Sequence, residues 1–443
     1  MTKLSGWGRY PILETEVVTP RTKEAIRYIT THANGAVARG NGRSYGDAGI
    51  GAEQTLWMGA FDRIRSFDAA TGLITAEAGV LLSDLIETFG PRGFFPPVVP
   101  GTKHITIGGA IAADVHGKNH HRDGGFGDHL ESLVLATDGG TLVHASRTDH
   151  SDLFAATIGG MGLTGIIVEA TFRLRTIETG WIKQYTVVAP DLDAAITALD
   201  DADSATYSAA WIDCLAGDKQ LGRSLIFRGE HATLDELEGE AAKCRFPGTT
   251  PSRLAAPFDF PSICLNAWSV GTFNELYFRL GARKAGKPFL VPLESFFFPL
   301  DGIGDWNRIY GWRGFVQHQC VLPIASARKV LSEMLGKIAT RGDASFLAVL
   351  KKLGPSGGVL SFPVPGYTLA LDFPMKPGLL DFLDELDALV VGAGGRLYLA
   401  KDARQSREVF EAGYAGLSRF RDIKRSIDPA GRIRSRLGER LGI

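Results

Sequence analysis

The reading of this chain turns on Gly101-Thr102-Lys103-His104-Ile105-Thr106-Ile107-Gly108-Gly109-Ala110-Ile111-Ala112-Ala113-Asp114-Val115-His116-Gly117-Lys118-Asn119-His120-His121-Arg122-Asp123-Gly124-Gly125-Phe126-Gly127. Small residues run through it, so main chain can come close to a bound group. His116, Lys118, His120 and His121 then fall within six positions. A packed core has little use for bare backbone beside dense polar side chains. A large anionic cofactor has such a use: it needs amide donors along its phosphates and polar groups near its reactive end.

Two more glycine loops flank this stretch. Upstream, Gly40-Asn41-Gly42-Arg43-Ser44-Tyr45-Gly46-Asp47 follows a short β-type run, Ala36 to Arg39. A dinucleotide fingerprint would need a helix to open at these glycines. Ala48-Gly49-Ile50-Gly51-Ala52 makes a poor helix, so an anion nest is expected instead, with a purely structural turn as the alternative. Downstream, Gly159-Gly160-Met161-Gly162-Leu163-Thr164-Gly165 leads into a strong strand, Ile166 to Leu174. Helices are expected over Thr22–Ala33, Leu81–Phe89 and Asp152–Thr157. A hairpin is expected around Asp68–Gly72, and strands over Ser132–Ala136 and Thr141–His144.

From about Trp181 the texture changes. Asp191 to Leu199 reads as a helix and Tyr207 to Asp213 as a strand. Residues 250–312 are aromatic and proline-containing, with weak periodicity, which predicts mobile loops or an irregular packed layer. Arg279, Arg283, Lys284 and Lys287 sit there, as a solvated face or a clamp for a lipid phosphate. Strand 315–322, helix 325–339, strands 346–351 and 367–373, helix 379–391 and strand 396–400 then spell a β-α-β-β-α-β ferredoxin-like unit. The tail from Ser406 is helical and basic, is broken at Ile427-Asp428-Pro429, and should pack back on the first domain.

At 443 residues the chain should hold two domains. Lys plus Arg is 48 against 49 for Asp plus Glu, so no global charge argues for nucleic acid. Four scattered cysteines show no metal spacing, and His116, His120 and His121 have no helical frame for ligation, so no metal is expected. There is no signal-peptide core and no run long enough to span a bilayer. The expectation is a soluble, cytoplasmic protein, with peripheral contact at the inner membrane face left open.

Six motifs go further: Leu4-Ser5-Gly6-Trp7-Gly8-Arg9, Gly42-Arg43-Ser44-Tyr45-Gly46-Asp47, Val115-His116-Gly117-Lys118-Asn119-His120-His121, Gly162-Leu163-Thr164-Gly165-Ile166-Ile167, Asp305-Trp306-Asn307-Arg308 and Leu397-Tyr398-Leu399-Ala400-Lys401-Asp402. With them the chain resembles the decaprenylphosphoryl-β-D-ribose 2′-oxidase family, within the vanillyl-alcohol-oxidase (PCMH-type FAD-binding) flavoproteins. The resemblance runs from residue 4 to the tail. It implies a two-domain α+β fold: an FAD-binding domain, 1–178 and 396–443, interrupted by a substrate domain, 179–395, with an antiparallel sheet. It implies oxidation of the ribose 2′-hydroxyl of a polyprenyl-phosphoryl sugar to a ketone, with a partner short-chain reductase completing epimerisation to the arabinose form.

By the same resemblance, FAD contacts fall at Arg39, Gly40, Asn41, Gly42, Arg43, Ser44, Tyr45, Pro100, Gly101, Thr102, Gly108, Gly109, Ala112, His116, Gly117, Asn119, Gly162, Gly165, Ile167 and Tyr398. Substrate contacts fall at Lys118, Trp211, Phe297, Gln319, Ala370 and Lys401. Arg43 stands where several relatives in the superfamily carry a flavin-linking histidine, which implies non-covalent FAD. Ala370 replaces a cysteine of mycobacterial members, the one attacked by covalent nitroaromatic inhibitors, and Phe297 replaces a tyrosine. Alcohol oxidation needs a hydride acceptor, a route for the hydroxyl proton and a positive environment. Lys401, Lys118, His116 and Tyr398 are the candidates for the last two, unranked. A flavoenzyme acting on a soluble sugar, alditol or aldonolactone is the alternative, and a non-enzymatic flavin-binding protein a third reading.

Overall fold

The computed structural model describes residues 1–248, 254–261, 264–342 and 347–443. The first third builds two small sheets. One orders the strands Thr2–Leu4, Leu13–Val18, Gln54–Trp57 and Ala36–Arg39. The other is antiparallel, in the order Ile64–Asp68, Leu73–Glu77, Ile166–Arg173, Leu130–Ala136, Leu142–Ser146. The expected hairpin turn forms because Asp68 accepts from the Ala70 amide at 2.9 Å and the Thr71 hydroxyl at 2.7 Å. No helix follows Gly40–Asp47, as its composition required; the chain turns there. The opening stretch is more helical than its glycines suggest. Thr106 accepts from the Gly109 amide at 3.1 Å and starts a helix, Ile107–Ala112, whose Ile107, Ala110 and Ile111 are buried.

The tail does return. It forms two helices where one was expected, Arg407–Gly413 and Leu417–Ile427, and then Arg436–Leu441. Phe420, Leu437 and Leu441 join the core that holds Ile111 and Phe126. Arg440 is the polar counterpart of that packing. It donates to both oxygens of Asp47, at 2.9 and 3.0 Å, and to Asp402 at 2.9 Å. The last helix thus ties the first glycine loop to the 398–402 turn.

The centre of the chain is an eight-stranded antiparallel sheet. Its order is Phe289–Pro292, Trp181–Ala189, Ser224–His231, Tyr207–Ile212, Ala348–Leu353, Gly366–Pro374, Phe315–Pro323, Arg396–Leu397. The right-hand four are the expected ferredoxin-like unit. The left-hand four repeat its order, so two such units meet through their second strands, where Ala210 pairs with Leu350 and Trp211 with Val349. The last strand is shorter than expected: Tyr398 and Lys401 lie on a turn after it, with the Lys401 amide donating to the Tyr398 carbonyl at 2.9 Å.

Side-chain alternation gives the sheet two different faces. Ala210, Ile212, Ile226, Leu350, Leu369 and Cys320 pack under the helices Leu192–Asp200, Ile324–Arg341 and Leu379–Gly392. Trp211, Phe227, Gln317, Gln319, Lys351 and Ala370 face the other way, toward the glycine loops.

Residues 250–312 correct the sequence reading, apart from 250–253 and 262–263, which lie outside the described residues, as does Phe346 at the head of one expected strand. A sixteen-residue helix, Ala267–Ala282, occupies the middle of this stretch. Asn266 caps it, accepting from the Trp268 and Ser269 amides at 2.9 and 3.0 Å. Its inner side holds Val270 and Asn274, yet Trp268, Leu276 and Leu280 are apolar on the outside, which erases the amphipathic period.

Replacing Arg440 by Ala strands the Asp47 and Asp402 carboxylates. The expected loss is about 3 kcal/mol of unfolding free energy, read from urea denaturation.

Candidate active site

Between the glycine loops and the bare face of the sheet lies a cavity of about 390 Å³, within the size range of small-molecule sites. Residues 38–46, 99–102, 112–113, 115–118, 161–162 and 400–401 line it from one side, and Trp211, Phe227, Gln319, Val349, Lys351 and Ala370 from the other. All of the expected cofactor and substrate contacts meet there except Asn119. Asn119 is buried away from it, donating to the Pro97 carbonyl at 2.9 Å and to Asp123 at 2.8 Å, so it holds the loop's shape. His120 and His121 also turn away. His120 accepts from the Gly354 amide and His121 contacts the Ala205 carbonyl, each at 3.0 Å. Among the described residues no group of acidic, His or Cys side chains could hold a metal.

The glycine loops form a tight wall. A Cβ on Gly40 would overlap the Thr106 hydroxyl, and one on Gly46 the Asp402 carbonyl. Gly42 and Gly162 adopt φ of 64° and 75°, which glycine tolerates best. At Gly101 a Cβ would meet no protein atom within 4 Å. Its bareness serves the open space, not the packing. Arg43 lies over the Trp7 ring at 3.9 Å, and its buried Nε has no hydrogen-bond partner among the described residues.

The opposite end of the cavity concentrates amines. Lys118 donates to the Phe296 carbonyl and sits 4.2 Å over the Phe296 ring. Lys401 lies 3.7 Å over the Tyr45 ring. Lys351, which the sequence reading passed over, lies 3.3 Å from His116 Nδ1. Strand alternation could have found it: in Lys351-Lys352 one lysine must face each way. Lys352 points to Asp200 and Asp203 on the helical side, so Lys351 points into the cavity. Burial pulls Lys118 down to about 7, helped by repulsion from Lys351, and pulls Lys351 itself to about 8.

Lys401 is lowered as well, by burial against the pull of Asp372. Asp372, the other residue missed, is pushed up by burial. It accepts from Gln317 at 2.5 Å and from Tyr310 at 3.2 Å.

His116 is fastened at both ring nitrogens: Lys351 at Nδ1 and Gln319 at Nε2, 3.0 Å away. A neutral ring accepts at one nitrogen and donates at the other, so neither is free. Burial and the nearby amines hold its pKa well below the usual histidine value. Tyr398 commits its hydroxyl to the Ala113 carbonyl at 2.9 Å and stacks on Phe362 at 4.6 Å. Burial raises it far above the usual phenol value. All four candidates line the cavity, and of them the two lysines are the ones whose pKa burial moves toward neutrality.

Residues 15–146 match the FAD binding domain family. Over 449 aligned residues the chain is 40% identical to the decaprenylphosphoryl-β-D-ribose oxidase of Mycolicibacterium smegmatis, covering 99% of this chain and 97% of that one. This chain belongs to the decaprenylphosphoryl-β-D-ribose oxidase family. An uncharacterised Streptomyces coelicolor protein is 35% identical over 82% of the chain and all of its own length. Bovine L-gulonolactone oxidase is 25% identical, but over only 39% of the chain and 40% of its own.

A member of this family is an FAD-dependent oxidoreductase, and the cavity fits the cofactor. Bare backbone at Gly101, positive-φ glycines at 42 and 162, and a half-buried Arg43 whose Nε has no hydrogen-bond partner among the described residues suit a pyrophosphate. The amine end suits a ring that gains negative charge on reduction. Arg43 cannot form a histidyl-type bond to it. Acid precipitation should therefore leave all the flavin in the supernatant; flavin retained in the pellet would show a covalent link.

Proposed function

We propose that this enzyme oxidises the 2′-hydroxyl of a polyprenyl-phosphoryl-β-D-ribose to the 2′-keto sugar. A separate short-chain reductase would complete epimerisation to the arabinose form, with the enzyme in peripheral contact with the membrane that carries the lipid. The observation that carries this reading is the full-length likeness, combined with a cavity that pairs buried amines with an aromatic wall, Trp211, Tyr277 and Phe297. The division into a cofactor unit, 1–178 and 396–443, and a substrate unit, 179–395, belongs to the same proposal. The sheet strand Arg396–Leu397 then marks the point of return.

Bound FAD supplies the hydride acceptor. The chain supplies the rest. His116, pinned by Gln319 and Lys351, fixes the floor against which the sugar is set. The hydroxyl proton passes to a lysine amine, because Lys118 and Lys351 are neutral in part near pH 7–8. Lys401, balanced by Asp372, supplies positive charge beside the reacting oxygen. Apolar Phe227, Val349 and Ala370 keep water out and sharpen these interactions.

The reading is tested by anaerobic flavin bleaching. A prenyl-phosphoryl ribose should bleach it rapidly, and free alditols or aldonolactones slowly or not at all; the reverse order would favour the soluble-substrate alternative. Lys401→Ala should keep its FAD absorbance and lose about 10²–10³ in reduction rate. The pH dependence has a definite sign. A lysine with a depressed pKa is protonated, and unable to accept, below that pKa. Flavin reduction should fall about tenfold per unit as pH drops below about 7, and fall again on the alkaline side as Lys401, itself drawn down by burial, loses the charge it supplies.

A further inference from the structure

The helix Ala267–Ala282 has a well-anchored inside and an outside with no folding purpose. On the inside, Asn274 donates to Asp213 at 2.7 Å. Arg223 joins Asp213 at 2.8 Å to Glu275 at 2.7 Å. Gly281 lies against Leu225, too close for a Cβ, and Tyr277 meets the Trp211 ring at 4.9 Å. Both of those rings line the cavity, so this helix is part of its wall. On the outside stand Trp268, 79% exposed, Leu276, 57%, and Leu280, 48%. They follow one another at helical spacing on a side that the anchored residues hold outward. Arg279 stands among them, and Arg283, Lys284 and Lys287 come just beyond. Between 267 and 290 the single carboxylate is Glu275, already engaged by Arg223 and Arg279.

We infer that this outer face docks on an anionic lipid bilayer. A tryptophan and two leucines on one side of a fixed helix, flanked by four cations, suit burial at the headgroup boundary. Each cation near an anionic surface adds attraction that a neutral surface does not give. The position also fits. The same helix has its inner side on the cavity, through Tyr277, so a lipid-borne sugar phosphate docked at this face would lie beside the cavity wall. This inference rests on the reading that the substrate carries a prenyl chain, and it goes beyond that reading by naming the surface and the lipid charge.

The test uses holoenzyme and sedimented vesicles of phosphatidylcholine, with or without phosphatidylglycerol. The enzyme should sediment with the phosphatidylglycerol vesicles and stay largely in solution with phosphatidylcholine alone. The pair Trp268→Glu with Leu276→Glu, and the pair Arg283→Glu with Lys284→Glu, should each lower the bound fraction about tenfold or more. The first pair should keep its FAD absorbance, its thermal midpoint and its flavin reduction by a short-chain, water-soluble prenyl-phosphoryl ribose. Equal binding to both vesicle types, or binding that neither pair weakens, would overturn the inference. So would a lipid-free dimer that the first pair dissociates, since the face would then be a protein interface. Vesicle binding that survives while no prenyl-phosphoryl ribose reduces the flavin would sink the substrate reading and leave the surface standing.

Discussion

Three lysine amines share one low-dielectric cavity, and burying an ammonium costs several kcal/mol unless something answers it. The fold answers each amine differently. Lys118 has the Phe296 carbonyl and ring, Lys351 has His116 Nδ1, and Lys401 has the Tyr45 ring with the field of Asp372. None of these partners is a full carboxylate in direct contact. The amines are therefore held near the balance between charged and neutral, where a small change in the cavity shifts a proton. An anion arriving there favours the charged form, and a departing proton finds a neutral amine. Direct salt bridges would have fixed all three as ammonium and removed that freedom.

This balance explains why His116 is better read as a positioning group than as the proton acceptor. Its ring is pinned at both nitrogens and surrounded by cations that oppose a further positive charge. The pinning makes use of the sheet: Gln319 also donates to Thr368 on the neighbouring strand, at 3.2 Å, so the histidine is oriented by a rigid ladder and not by a loop.

The glycine loops and their shared destination were legible in the sequence because close backbone approach needs a residue type that shows at once. The ferredoxin-like unit was legible because its strands and helices keep clean periods. Lys351 and Asp372 were not: Lys351 is one of two adjacent lysines and Asp372 the single charge of an apolar strand, and pairing with Thr368 and Gln317 reveals which face each takes. Asn119 misled because it stands inside the densest polar motif, although its amide serves only the loop. The 267–282 helix was hidden for another reason: local periodicity reports burial on one side, and this helix is apolar on both.

That helix also breaks the internal symmetry of the sheet in a useful place. In the right-hand unit both helices, Ile324–Arg341 and Leu379–Gly392, cover the face turned away from the cavity. Among the described residues of the left-hand unit only Leu192–Asp200 does so. The second helix of that unit, Ala267–Ala282, has crossed to the cavity face, where Tyr277 and Gly281 meet Trp211 and Leu225. A sheet with all its helices on one side would leave Trp211 and Leu225 bare on the cavity face. Moving one helix across supplies the missing wall. Because none of the described residues covers the outer side of that wall, where Trp268, Leu276 and Leu280 stand exposed, those side chains are free to be selected for what they touch outside the protein.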